Sequence, residues 1–431
     1  MKKFNVLHTA DLHITNKVDK LEEVMHTCNA IVAQAKKNPP DLIVLAGDTV
    51  DEYDGPIRID SVAARYAISL VAQFAEIAPV AIVRGTKSHD RDTPYLFREL
   101  KGRYPIHVAT KIEQVALIDT GKGLSFHPLT GPLADDTYTQ AIAVLTFMPS
   151  PDKSRVIAVQ GGDSVEATTL SARELLGDAM ALIGEANASI GDDIPRIMIG
   201  HGMITGAVFS DSSAMAAVGE DLEFSPSDLA KANCDLICFG HIHKYQEFPG
   251  NIFYSGSPGR LTFGEKEKKG YLLHVLDGQT LTESVFFDTP AREFSFFDYD
   301  WADGADGLER DLISFLREGL TGHDVRVRIQ VPEEERHLID RAGIESRINT
   351  AGAKQIKIEV AVIPKQRQRA AGISNLETLP EKVKRWGETI DEEVPESVLV
   401  LAGLIEGRDI EELIEDANRR LANPDKKAEA A

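Results

Sequence analysis

The sequence predicts an α/β protein built on two stacked sheets with helices on their outer faces. Three observations carry that expectation. Apolar runs alternate with helix-spaced segments from Phe4 to Val83 in the order β-α-β-α-β, a pattern that requires a parallel sheet. From Ile106 to Phe147 the pattern changes to short alternating strands broken by Gly and Pro. Five strand-like runs end in loops that carry carboxylate or imidazole groups, and such strand ends are where open α/β sheets bind ligands.

Phe4–His8 is the first strand. Leu21–Lys36 then sets Leu21, Val24, Met25, Cys28, Ile31 and Val32 at the spacing of an amphipathic helix, which Pro39-Pro40 stops. Leu42–Ala46 is the second strand, Ser61–Ile77 a helix and Val80–Val83 the third strand. Further along, Glu166–Ala188 reads as helix, and Arg196–Ile199 and Leu236–Phe239 as strands. Asn251–Ser255, Tyr271–Leu276 and Leu281–Phe287 are expected to close the second sheet. One large domain over residues 1–290 follows from this pattern.

Beyond Pro290 the clustering of ligand-type side chains stops. Helices at Leu308–Leu316 and Glu333–Asn349, with strands at Val325–Ile329 and Ile356–Ile363, predict a small α/β domain over 291–365. Residues 366–431 read as a linker followed by an acidic helical segment. Its apolar residues fall at helical spacing in Val398–Ile405 and Ile410–Leu421, and Asn423–Ala431 is expected to be disordered. Lys354, Lys357, Lys365, Arg367 and Arg369 could meet a phosphate backbone or form a solvated charged face.

A chain of 431 residues is long enough for two or three such domains. No apolar run approaches the ~18–20 residues that span a bilayer, and Met1-Lys2-Lys3 is not followed by a signal-peptide core, so a cytoplasmic protein with no membrane association is expected. Three cysteines fit that compartment as free thiols. Cys234 and Cys238 would lie ~13 Å apart along one strand, too far for a disulfide. The formal charge of -21 argues against a chain that coats DNA non-specifically. A local site is still open to a polyanion, because bound cations reverse the field there.

The chemistry gathers at strand ends. Asp11 and His13 follow the first strand, Asp48 the second, His89 the third, His201 the run Ile197–Ile199, and His241 and His243 the run Leu236–Phe239. Asp11, His13, Asp48, His201, His241 and His243 offer oxygen and imidazole nitrogen and no thiolate, a mixture that suits manganese or iron as well as zinc and disfavours a structural zinc site. Six side chains exceed the needs of one four-coordinate ion. Two divalent ions sharing a carboxylate is the natural count, and Asp48 is the candidate bridge. Such a pair clamps the oxygens of a phosphate ester.

The ordered motifs D-x-H, G-D-x-x-D, G-H and G-H-x-H resemble the calcineurin-like metallophosphoesterase superfamily. Ile199-Gly200-His201-Gly202, Gly240-His241-Ile242-His243-Lys244, Tyr254-Ser255-Gly256-Ser257-Pro258 and Phe263-Gly264-Glu265 resemble, within it, the SbcD-type nucleases, the bacterial counterparts of a double-strand-break repair nuclease. The resemblance covers Met1 to about Phe287 and extends more loosely through the small domain. It implies a two-sheet metallophosphoesterase sandwich flanked by helices, with a small α/β capping domain and a helical C-terminal segment. It implies a homodimeric exonuclease and endonuclease that hydrolyses DNA phosphodiesters in repair and recombination. The C-terminal helices would bind an SbcC-type ATPase. Manganese is the expected metal, with magnesium, iron and zinc as alternatives.

By the same resemblance, one metal is held by Asp11, His13, Asp48 and His243, and a second by Asp48, His201, His241 and an asparagine. His89 resembles the histidine that protonates the leaving oxygen or stabilises the transition state. Asp51 resembles the carboxylate that orients it, and reads equally as a turn or helix cap. The family reads G-N-H-D where this chain has Gly85-Thr86-Lys87-Ser88-His89-Asp90. Ser88 stands before His89, in the asparagine's place, and a weaker second metal is expected. The other readings are a small-molecule phosphodiesterase or phosphatase, and a non-catalytic scaffold whose second metal site has eroded.

Overall fold

The computed structural model describes residues 3–53, 55–129, 140–151, 165–209, 223–363, 373–390, 392–409 and 412–414. β1 (Phe4–Thr9), α1 (Val18–Lys37), β2 (Leu42–Ala46), α2 (Val62–Ala75) and β3 (Val80–Val83) form the expected β-α-β-α-β run. A short α3 (Pro94–Phe97) precedes β4 (Ile106–Ala109), β5 (Glu113–Asp119), β6 (Leu124–Leu129) and β7 (Ala141–Met148). After α4 (Val165–Ala188) come β8 (Arg196–His201), the two-residue β9 (Met203–Ile204) and β10 (Glu223–Phe224), α5 (Pro226–Ala230) and β11 (Leu236–Gly240). β12 (Gln246–Phe248), β13 (Ile252–Tyr254), β14 (Gly270–Asp277) and β15 (Thr280–Asp288) complete the two large sheets.

The first sheet has six strands in the order β15-β14-β1-β2-β3-β4, and the second has seven in the order β12-β13-β11-β8-β7-β5-β6. β1 through β4 are parallel, as are β7, β8, β11 and β13. Period-2 alternation assigns each strand residue a face. Val6, Val44, Val83, Leu145, Ile199, Cys238 and Leu272 fill the space between the sheets. Leu7, Ile43, Leu45 and Ile82 point the other way and pack under α1 and α2 against Val24, Ile31, Leu70 and Phe74. On the far side Met198, Ile237, Phe239 and Tyr254 meet Met180 of α4 and Leu229 of α5. This is a mixed α/β sandwich with helices outside, as expected.

Two strands lie in the other sheet from the one expected. The sequence assigns β14 and β15 to the second sheet, but β14 pairs antiparallel with β1, from Phe4↔Leu276 to His8↔Leu272. A central parallel strand needs a partner on each side, and the apolar run of β14 supplies the one that β1 lacks. The predicted helix over Glu333–Asn349 is a 3-10 turn at Glu333–Leu338 and a separate α-helix at Arg341–Thr350. Pro332 opens that turn and its carboxylate run, Glu333 to Glu335, crowds one short segment, which disfavours a continuous helix. A strand at Phe294–Asp300, not foreseen, opens the three-stranded sheet completed by Asp324–Pro332 and Gln355–Ile363.

By contacts, one unit comprises Met1–Asp298, Asp311–Val327 and Arg341–Glu359, and the other comprises Tyr299–Arg310, Arg328–Asp340 and Val360–Ala431. In the second, the helix Leu379–Thr389 opens with a capping box between Thr378 and Glu381. The helix Glu396–Ile405 leaves Val398, Val400, Leu401 and Leu404 exposed. Among the described residues no helix is long and apolar enough to cross a membrane. The three cysteines are free thiols, and burial pushes Cys28 and Cys234 up to about 12. Lys365, Arg367, Arg369, the helical spacing in 410–421 as a whole and the tail from Asn423 lie outside the described residues.

Candidate metal centre

The strand-end loops lock together before any side chain is considered. The backbone N–H of Asp11 donates to Gly47 O, that of His13 to Asp48 O and that of Ile14 to Thr49 O, at 3.0–3.1 Å. The loop after β1 is thus zipped to the loop after β2. Asp11, His13, Asp48 and His241 all have positive φ, of 53°, 50°, 46° and 109°. Left-handed backbone in non-glycine residues is costly and gathers where a site requires it. Close approach explains two glycines. A methyl group at Gly47 would strike the His201 ring, and one at Gly85 would strike the Asp48 carboxylate.

Side chains from both sheets meet at one place. Asp11, His13 and His243 bring ligand atoms within 4.8 Å of one another, and so do Asp48, His201 and His241. Asp48 belongs also to a third group with His13 and His89. Its Oδ2 lies 3.3 Å from His201 Nε2 and 3.9 Å from His13 Nε2, between the two clusters. Asp11 accepts the backbone N–H of His241 on both oxygens, at 2.8 and 3.0 Å. Asp11, Asp48, His13 and His201 are buried, whereas His89, His241 and His243 are half-buried and open the site on one side.

His89 is held by Asp51, with Nδ1 to Oδ1 at 3.0 Å. Burial pulls this imidazole down, but the Asp51 carboxylate outweighs it and raises the His89 pKa above its ordinary value. Burial alone would raise Asp51, yet the bond to His89 holds it well below the usual carboxylate range. Asp90, the residue after His89, is buried and accepts the N–H groups of Val50 and Gly85 at 3.1 and 2.6 Å, so it ties the third loop to the second. Burial, and then the neighbouring Asp48, push Asp90 up to about 7.

The model of the family described as calcineurin-like phosphoesterase matches residues 4–245, more than half of the chain. This chain belongs to the calcineurin-like phosphoesterase family. Among characterised relatives it is similar to the SbcD subunit of the nuclease SbcCD from Staphylococcus epidermidis, 24% identical over 312 residues that cover 69% of this chain and 73% of that one. The protein of the same name from Staphylococcus saprophyticus is 23% identical over 309 residues, 69% of this chain and 72% of that one. A "Putative phosphoesterase 244L" of Invertebrate iridescent virus 6 is 22% identical over 284 residues, 66% of this chain and 80% of that one.

Divalent metals serve this phosphoesterase family, and the residues present fit them. His201 Nδ1 lies 2.8 Å from Ala46 O, so this nitrogen carries the proton and Nε2 turns a lone pair into the cluster. That Nε2 is buried and has no hydrogen-bond partner. His13 Nε2 and His243 Nε2 face each other at 2.9 Å, as two ligands of one ion do. Burial pulls His201 down, but Asp48 and Asp11 outweigh it and push it up to about 10. The cage therefore attracts positive charge.

Ser88 is not in this cage. It is exposed, and its hydroxyl reaches only Thr86 Oγ1, at 3.4 Å. Thr86 is the residue against Asp48, with its backbone N–H 2.7 Å and its Oγ1 3.0 Å from Oδ1. The close approach of Gly85 to Asp48 fixes the register from the glycine side. The extra residues are taken up in a turn, where the N–H groups of His89 and Asp90 both donate to Thr86 O. Counting back from His89 along the sequence lands on Ser88 and passes over Thr86.

Glu265 and Lys269 also escape a reading of the sequence. Glu265 Oε1 lies 3.2 Å from His243 Nδ1, and buried Lys269 donates to the His243 carbonyl at 3.0 Å while pairing with Glu265 at 3.0 Å. Glu265 stands out in the sequence only as the end of the motif Phe263-Gly264-Glu265, and its link to His243 spans 22 positions with no local pattern. A second histidine group, His8 and His274 beside Cys238, lies in the core between the sheets. Its nitrogens are spent on a chain from Ser284 through both rings to Phe239 O. Burial pulls His8 down to about 3, in keeping with a structural role.

Proposed function

We propose that this phosphoesterase is a metal-dependent DNA nuclease subunit, SbcD-like, that hydrolyses phosphodiesters with two divalent cations. One observation carries the reading: six carboxylate and imidazole side chains converge in two triads with Asp48 Oδ2 between them. Asp11, His13, Asp48 and His243 would hold one cation, and Asp48, His201 and His241 the other. Two such cations supply an activated water and a clamp on the phosphate oxygens. Manganese is the metal we assign, since the set holds both imidazole and carboxylate and no thiolate.

The chain's own groups do the rest. His89, kept protonated beside Asp51, stands over the Asp48 side of the cage, where it donates a proton to the leaving oxygen or a hydrogen bond to the transferring phosphoryl group. Glu265 orients His243, and Ala46 O orients His201. The small α/β segment 291–365 would cap the DNA. The apolar residues exposed on the helix Glu396–Ile405 would meet an SbcC-type ATPase, and the nuclease part would pair with a second copy of itself. The two staphylococcal relatives, each named as a component of a nuclease, support this assignment.

The test couples metal quantification to a Mn2+-dependent cleavage assay on the full chain. Two metal equivalents and cut DNA are expected. Turnover of a chromogenic diester without DNA cleavage assigns a small-ester enzyme instead. One metal or none, with neither substrate cut, assigns the scaffold reading, which Thr86 in the asparagine's place favours.

A further inference from the structure

Beside His89 stands a side chain that neither the fold nor the cage requires. Tyr53 is 69% exposed, although a phenol ring ordinarily seeks cover for its apolar body. Its ring stacks on that of His89, with centroids 5.9 Å apart and planes at 28°. One face of the phenol is therefore turned to the imidazole, and most of the remainder is open to solvent.

The ring is held in place, since its loop is braced at each side. The Tyr53 N–H donates to Asp51 Oδ1 at 3.1 Å, the same oxygen that holds His89. Glu52 on one side is buried. Its N–H donates to His89 O at 3.0 Å, and its carboxylate accepts the N–H of Ile57 at 2.6 Å. The loop is thus fastened to His89 through backbone and side chain together. A flat aromatic surface presented rigidly at the rim of a phosphodiester site matches what stands one sugar away from the phosphorus in a nucleic acid: a planar base.

We infer that Tyr53 is a nucleobase-stacking platform, so that the site takes esters whose sugar carries a base beside the scissile phosphate. Stacking of this kind is tolerant of base identity, because each base has a π face. It would confer a preference for nucleotides over plain phosphate esters without reading sequence. The inference rests on the nuclease reading for its substrate, but its test does not depend on cleavage.

The experiment measures binding of dAMP and of 2-deoxyribose 5-phosphate to the Mn2+-loaded full chain by calorimetry, for wild type, Tyr53→Ala and Tyr53→Phe. Wild type is expected to bind dAMP more tightly than the sugar phosphate. Tyr53→Ala should lose roughly tenfold for dAMP and nothing for the sugar phosphate, and Tyr53→Phe should keep the preference. Equal affinities in wild type, absence of binding of both ligands, or an equal loss for both in Tyr53→Ala would overturn it. The last of these would make Tyr53 only a prop for His89. A second arm compares cleavage of an oligonucleotide with that of one carrying abasic spacers at the cut position. If neither is cut while the dAMP preference stands, the nuclease reading fails and the platform survives.

Discussion

Thr86 and Glu265 decide how firmly each cation would sit. Thr86 spends its hydroxyl and its N–H on Asp48 Oδ1, which leaves Oδ2 as the oxygen directed at both clusters. An amide carbonyl ligates a divalent cation better than a neutral hydroxyl already committed to a carboxylate. Thr86→Asn is therefore expected to tighten the weaker of two steps in a manganese titration. Ser88→Asn, on an exposed residue, should leave the titration unchanged, and a shift confined to Ser88→Asn would refute the placement. On the other side Glu265→Gln keeps the shape but removes the charge behind His243. Loss of such an orienting carboxylate costs roughly 10–100-fold in metal affinity, so the tighter manganese step should weaken by that factor. His89→Gln should retain both metals and lose most of the turnover. Metal loss in that variant would make His89 a ligand instead of a proton donor.

At the scale of elements, the strands that deliver the site were legible and their neighbours were not. Phe4–Thr9, Leu42–Ala46, Val80–Val83 and Leu236–Gly240 are apolar on both faces, because helices or a second sheet cover each side. Such runs announce themselves, and the polar residue after each run is read with it. Sheet membership is a different matter: Tyr271–Leu276 has the composition of a core strand in either sheet, and only pairing with β1 decides between them. Within the site the same limit held. Asp48 and His201 could be named from motifs, whereas the bonds of Thr86 to Asp48 and of Glu265 to His243 join distant positions without periodicity. α2 offers a test of this layer. Phe74 is fully buried against the first sheet, so Phe74→Ala should cost about 3–5 kcal/mol of stability and lower the melting temperature. The metal content of the protein that stays folded should not change, because the cage lies at the strand ends and not under this helix.

For the molecule as a whole, the cage draws on both halves of the sandwich. Asp11, His13 and Asp48 follow strands of the first sheet, and His201, His241 and His243 end or follow strands of the second. Cations bound to the folded state alone stabilise it by mass action, by about 2.7 kcal/mol at a hundredfold excess over the dissociation constant. Manganese should raise the melting temperature of this chain and a chelator should lower it. An unchanged melting curve at saturating metal would mean that the six groups do not act as one site. The ligand geometry also sets an order of events for a newly made chain. Neither sheet owns a complete set of donors, so the halves must dock before either ion is seated. Ion uptake is then the last act of maturation, and the two ions become rivets driven through a seam that is already closed.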